Sequence, residues 1–207
     1  MSEIIYTDPR QRTHALHLGM WAFLGSETLL FAGLFGLYAG YRSAYGAEFR
    51  AGVAHNNAVI GTANTVVLIT SSFFVAWAIH ALRASRKRAC IGSLCVALLL
   101  GLTFLVLKSI EYAEHFREGF APGMHYSSTE LPMHGTALFF ALYYAMTGLH
   151  AFHVIGGLTV LTWLAIRVHR GKTRADHRTE LELGGLYWHL VDVVWIFLWP
   201  LLYLTHQ

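Results

Sequence analysis

Between Thr136 and Ile166 the chain carries no Asp, Glu, Lys or Arg, a run long enough for a single helix to cross the hydrocarbon of a bilayer. Inside it lies Tyr143–Gly157, YYAMTGLHAFHVIGG, where His150 and His153 stand three residues apart. On a helix that spacing puts both imidazoles on one face, near the midplane of the membrane. Polar groups at that depth are costly and tend to face a bundle interior, a cavity or a function. The plain alternative is a pair of neutral imidazoles, each hydrogen-bonded to a neighbouring helix. Whatever surrounds the pair has to come from the rest of the chain.

The rest of the chain is built the same way. A composition of 55% hydrophobic and 13% charged residues with a mean hydropathy of +0.45 excludes one or two soluble domains of this length. It indicates an all-α polytopic membrane protein forming a single membrane domain over residues 1–207. Five spans are expected, near residues 18–41, 58–82, 89–112, 134–167 and 183–204, joined by polar connections that include Arg42–Asn57 and the long Glu114–Met133 loop. The stretch Met1–Leu18 is polar, with Asp8-Pro9 and no apolar core, and reads as neither a signal nor a transit peptide. Cys90 and Cys95 sit on different faces of one apolar helix and read as packing residues. No basic patch interleaved with aromatics points to nucleic acid.

Each span but one carries an ionisable group where hydrocarbon is expected. Glu27 falls near mid-bilayer in the first span, where a lone carboxyl must be protonated, paired or facing water. On the same helix Ala32, Gly36 and Gly40 form a stripe that permits close helix approach. The second span has no charge but is rich in Asn64, Thr65, Thr70, Ser71 and Ser72, which suit hydrogen bonds between helices. In the third, Lys108 and Glu111 at i,i+3 can pair, with Lys108 also able to reach toward the interface. The fifth holds His189 and Asp192, again i,i+3 on one face.

Lysine and arginine set the expected orientation. The N-terminus and the second–third and fourth–fifth connections hold eleven of them: Arg10, Arg12, Arg83, Arg86, Lys87, Arg88, Arg167, Arg170, Lys172, Arg174 and Arg178. The opposite side holds three: Arg42, Arg50 and Arg117. The positive-inside rule then places the N-terminus in the cytoplasm and the C-terminus in the periplasm. In that frame Glu27, His150, His153 and Asp192 share one level, with His189 slightly nearer the cytoplasm, while Lys108 and Glu111 lie closer to the outer face.

Three chemistries suit such a set: ligation of haem or copper by neutral imidazole, proton relay, or helix-to-helix bonding around a lipid cleft. No phosphate loop, nucleophile elbow or CxxC pair competes.

The motifs narrow this. TGLHAFHVIGG resembles the TGxHxxHVxxG signature of subunit III of haem-copper terminal oxidases. GLYWHLVDVVWIFLW (Gly185–Trp199) is similar to that family's final-helix signature, and GMWAFLGSETLLFAGLF (Gly19–Phe35) to its intramembrane-glutamate segment, which places that glutamate at Glu27. Asn64-Thr-Val-Val-Leu and Glu111-Tyr112 correspond to two further family positions, so the resemblance touches all five spans in order. It implies a bacterial inner-membrane, multi-pass subunit of a proton-pumping oxygen reductase in aerobic electron transport, not catalytic by itself. Its cofactors would be none of its own, with haems and copper in subunits I and II. Bound phospholipid is expected in a cleft between the first two spans and the last three, with support for sustained turnover and proton uptake. The chain lacks the first two helices of the seven-helix form, and Lys108 replaces a glutamine. The lipid and proton-uptake candidates are Glu27, Glu111, His150, His153, His189 and Asp192, with Trp21, Trp188 and Arg178 at the expected cytoplasmic interface. A nitric-oxide-reductase-associated relative and a haem-carrying cytochrome using His150 and His153 are the alternatives.

Overall fold

The computed structural model describes residues 9–120, 133–171 and 175–205, and its regular structure is helical: α1 (Pro9–Ala44), α2 (Gly46–His55), α3 (Ala58–Arg83), α4 (Lys87–Arg117), α5 (Met133–His169) and α6 (Ala175–Tyr203). Five of these are long and apolar enough to cross a membrane. The 36 residues of α1 and 37 of α5 make rods of about 54 and 55 Å at about 1.5 Å per residue. Both exceed a hydrocarbon core of about 30 Å and must tilt or project.

The sixth helix is a departure from the expected polar connection over Arg42–Asn57. α2 has Glu48 in its first turn and buries Phe49 and Val53, an i,i+4 pair on one face. At 10 residues it is invisible to a search for membrane-length apolar runs. The long loop after α4 falls mostly outside the described residues.

Side-chain packing dictates the arrangement. α3, α4, α5 and α6 form a closed ring in that order, each packed on the next, while α1 lies against α5 and α6, and α2 against α5. Among the described residues α1 touches neither α3 nor α4. The first two spans therefore do not stand together, and the expected cleft between them and the last three gives way to grooves between α1 and the ring. Within the ring, Trp188 fills the centre. Its indole lies where side chains on Gly101 of α4 and Gly157 of α5 would clash, at 2.9 and 2.6 Å from a Cβ, so the two glycines are the condition for its burial.

The ends of the helices are tied by polar contacts. At the basic end Arg83 pairs with Glu182 and Arg167 with Glu180, each at 2.9 Å, and Lys87 donates to the His169 carbonyl at 2.7 Å. The α3–α4 turn closes with Ser85 at φ 61° and the Arg86 amide on the Ala81 carbonyl, a left-handed C-terminal cap in which glycine is usual. Gly119 plays that part after α4, at φ 82°.

Candidate functional site

Glu27 and His153 meet. The carboxyl of α1 lies 2.8 Å from Nε2 of the α5 imidazole, and Nδ1 lies 2.8 Å from the Leu149 carbonyl one turn earlier. A carbonyl oxygen can only accept, so Nδ1 carries a hydrogen and donates it. The short Nε2–Oε2 contact then holds one proton: either the carboxyl donates to a neutral imidazole or an imidazolium donates to the carboxylate. In both forms the pair has no net charge, which is what hydrocarbon tolerates. Phe31 packs edge-on to the ring at 5.3 Å between centroids, and the Tyr187 hydroxyl donates to the His153 carbonyl at 3.1 Å. The pair is not sealed: the Glu27 side chain is 18% exposed and that of His153 10%.

His150 has a different fate. Although only three residues away, it is buried inside the ring, tilted against Trp195 at 5.2 Å and edge-on to Phe104 at 5.5 Å. Neither ring nitrogen has a hydrogen-bond partner among the described residues. The shared face expected of the two imidazoles is thus divided between the α1 contact and the core, and His150 cannot meet lipid from where it sits.

On the opposite flank of α6, Ser72 Oγ of α3 lies 2.5 Å from His189 Nδ1. Asp192 is buried, and neither of its oxygens meets hydrogen-bond geometry, though Ser72 is among its neighbours. His189 and Asp192, expected on one face of α6, both lie beside Ser72 of α3. Glu27–His153 and Ser72–His189–Asp192 therefore lie beside α6 from the α1 and α5 side and from the α3 side.

Lys108 and Glu111 do pair, at 3.1 Å, but deep inside. Their side chains are 3% and 1% exposed, so the anticipated reach of Lys108 toward the interface is corrected. The ammonium has closer acceptors in the bundle: Tyr143 Oη at 2.7 Å and Tyr203 Oη at 2.6 Å. Both hydroxyls donate onward to Glu111 Oε1, at 2.8 and 2.6 Å. Three donors on the ammonium meet three acceptors, and the carboxylate receives three donors, so the set is closed. Tyr143, Tyr203 and Ser72 were not singled out as site residues from the sequence. Two charges one turn apart in an apolar span signal that hydroxyls or amides must come from other helices, but not which residues supply them.

The three residues expected at the cytoplasmic interface diverge. Trp21 is 63% exposed and Arg178 is exposed near the start of α6. Trp188 is fully buried, and its headgroup contact is withdrawn: glycines on two helices draw it into the core. Apolar grooves flank the middle of α1. One of about 410 Å³ lies between Met20 and Phe23 of α1, Trp163 of α5 and Tyr187 of α6. A second, of about 240 Å³, is walled by Phe31 and Phe35 of α1 and Val193 and Phe197 of α6. Among the described residues no group of three or more His, Cys, Asp or Glu side chains could hold a metal ion.

Comparison with known proteins agrees with this architecture. The family model described as cytochrome c oxidase subunit III matches residues 7–206. Cytochrome c oxidase subunit 3 of Alkalihalophilus pseudofirmus is 32% identical over 192 residues, covering 90% of this chain and 85% of its own length. The human protein of the same name is 32% identical over 209 residues, 96% of this chain and 72% of its own. That of Bacillus sp. strain PS3 is 31% identical over 187 residues, 90% and 84%. With five apolar helices, a match along nearly all of its length and bacterial relatives above 30% identity, this multi-pass membrane protein belongs to the cytochrome c oxidase subunit III family of the haem-copper oxidases.

Proposed function

We propose that the chain is the non-redox third subunit of a proton-pumping haem-copper oxygen reductase in a bacterial inner membrane, bound to subunits I and II. It stabilises the catalytic subunit, holds phospholipid along α1 and supports proton uptake during sustained turnover. The observation that carries this reading is the Glu27–His153 pair: a carboxyl and an imidazole sharing one proton, partly open, on a helix lined by apolar grooves. Acyl chains suit those grooves, and Trp21 and Arg178 suit headgroups.

The test is Glu27→Gln in the assembled, haem-replete complex. The amide keeps the shape and a hydrogen bond while removing the shared proton. A modest loss of proton-uptake rate or of sustained activity is expected, with oxygen reduction retained. Complete loss of oxygen reduction would overturn the auxiliary role, and unchanged uptake and endurance would remove Glu27 from it.

Eleven positive charges against three orient the bundle with the Arg83–Arg88 and Arg167–Arg178 connections in the cytoplasm. Cysteines introduced into either connection should resist labelling from outside intact cells, whereas one at Glu118 should react.

The cytochrome alternative meets a specific obstacle. Both nitrogens of His153 are committed, and His150 is enclosed between Phe104 and Trp195. Haem at either would require α1 or the core to move. The isolated chain should therefore be colourless; a stoichiometric Soret band lost in His150→Ala would reverse that.

A further inference from the structure

Side chains from every other helix meet the last turn of α6. From α1, Tyr38 donates to the Leu201 carbonyl at 3.1 Å and Arg42 to Thr205, including its carbonyl at 2.8 Å. Asn56, which ends α2, donates to the Leu202 carbonyl at 2.8 Å. From α3, Gly61 leaves room for the Tyr203 ring, which would stand 2.8 Å from a Cβ there. From α4 and α5 come Lys108, Glu111 and Tyr143, whose closed set includes the Tyr203 hydroxyl.

Two physical facts give this convergence a direction. The last carbonyls of a helix have no intrahelical N–H partner: that of Leu202 accepts from Asn56 after α2, and that of Leu201 accepts from Tyr38 of α1 beside the Thr205 hydroxyl of its own chain end. The second concerns Lys108 and Glu111, which enter on α4, ahead of α5 and α6 in the chain. Before α6 docks, the ammonium lacks one acceptor and Glu111 one donor, in a setting where an unmet charged group is costly. Tyr203 removes both deficits with a single hydroxyl, accepting from Lys108 and donating to Glu111. The docking that satisfies the charge pair also carries Leu201, Leu202 and Thr205 to their partners on α1 and α2.

We infer that the last turn of α6 is a latch closing the far end of the molecule, with Tyr203 its bolt: the uncompensated charge pair on α4 draws α6 home, and α6 in turn fixes α1 and α2. Every residue of the latch belongs to this chain.

Amide hydrogen exchange, read by mass spectrometry on the full-length purified chain, tests this. Tyr203→Phe should raise exchange by at least about tenfold in peptides covering residues 34–56 and 104–112. Peptides at the basic end, 79–92 and 164–169, should keep wild-type rates. Faster exchange confined to 200–205, or equal at both ends, would overturn the latch. The combination Tyr203→Phe, Lys108→Met, Glu111→Leu removes the charges that make the hydroxyl necessary, and should restore protection at 34–56 to within a few-fold of wild type. Should Tyr203→Phe alone fail to accumulate, this triple variant still decides. Accumulation with protected 34–56 supports the charge-driven latch, and failure to accumulate or an unprotected 34–56 overturns it.

Discussion

The Lys108–Glu111 set and the Glu27–His153 pair are built from the same materials, a carboxyl and a basic partner inside apolar helices, and differ in closure. Around Lys108 every donor and acceptor is spent within four side chains, 3% exposed at the lysine and 1% at the glutamate. Around Glu27 one proton serves two groups and the carboxyl stays 18% exposed. Moving any proton out of a closed set strands a partner. An open pair can exchange. Burial of charge in this fold is therefore not by itself a mark of function; what matters is whether the hydrogen-bond account is complete.

Breaking the closed set should give the largest effect. Lys108→Met leaves a carboxylate buried against two hydroxyls and should cost about 3–5 kcal/mol, as removing one member of a buried pair does. Adding Glu111→Leu should recover most of that, since the two tyrosine hydroxyls remain near each other and no charge is stranded. Thermal melts of the purified chain read both. Equal destabilisation by the single and double variants would show that the lysine contributes packing and not charge balance.

The open pair should answer more gently to the same treatment. His153→Leu strands a carboxyl that is still partly exposed, for about 1–3 kcal/mol. An apolar carbodiimide, which needs a protonated and accessible carboxyl, should add to Glu27 in the wild-type chain and leave Glu111 untouched. Peptide mass analysis distinguishes them, and modification of Glu111 would mean that its enclosure is not closed.

Much of this difference was hidden in the sequence for a definable reason. The spans are written in long uncharged runs such as Thr136–Ile166, and hydropathy alone locates them. The Lys108–Glu111 pair is local, one turn apart, and equally legible. What closes it is not local: Tyr143 and Tyr203 are 35 and 95 residues away from Lys108, and nothing in their neighbours marks them. The same holds for Trp188, whose aromatic type suggests an interface until Gly101 and Gly157 are seen to open the core for it. The separation of His150 from His153 depends on α1 choosing the groove between α5 and α6, a tertiary outcome that i,i+3 spacing cannot report. α2 escaped because Phe49 and Val53 bury against the ring on a helix too short to cross anything.

Ser72 and His189 stand between the two cases, and should show the smallest effect. Their contact is a single hydrogen bond, 2.5 Å long, between groups that are each half-buried. No charge depends on it, so nothing is stranded when it goes: Ser72→Ala removes the hydroxyl and leaves a neutral imidazole free to turn toward the groove. Hydrogen bonds between membrane helices average about 0.6 kcal/mol, because the unfolded chain in the bilayer also finds partners. For a domain of this size that corresponds to a fall in Tm of about 1–2 °C. A loss comparable to Lys108→Met would mean that Asp192, buried beside this contact with neither oxygen satisfied, depends on the Ser72 hydroxyl after all. The third carboxyl would then belong with the closed set, and openness would be peculiar to Glu27.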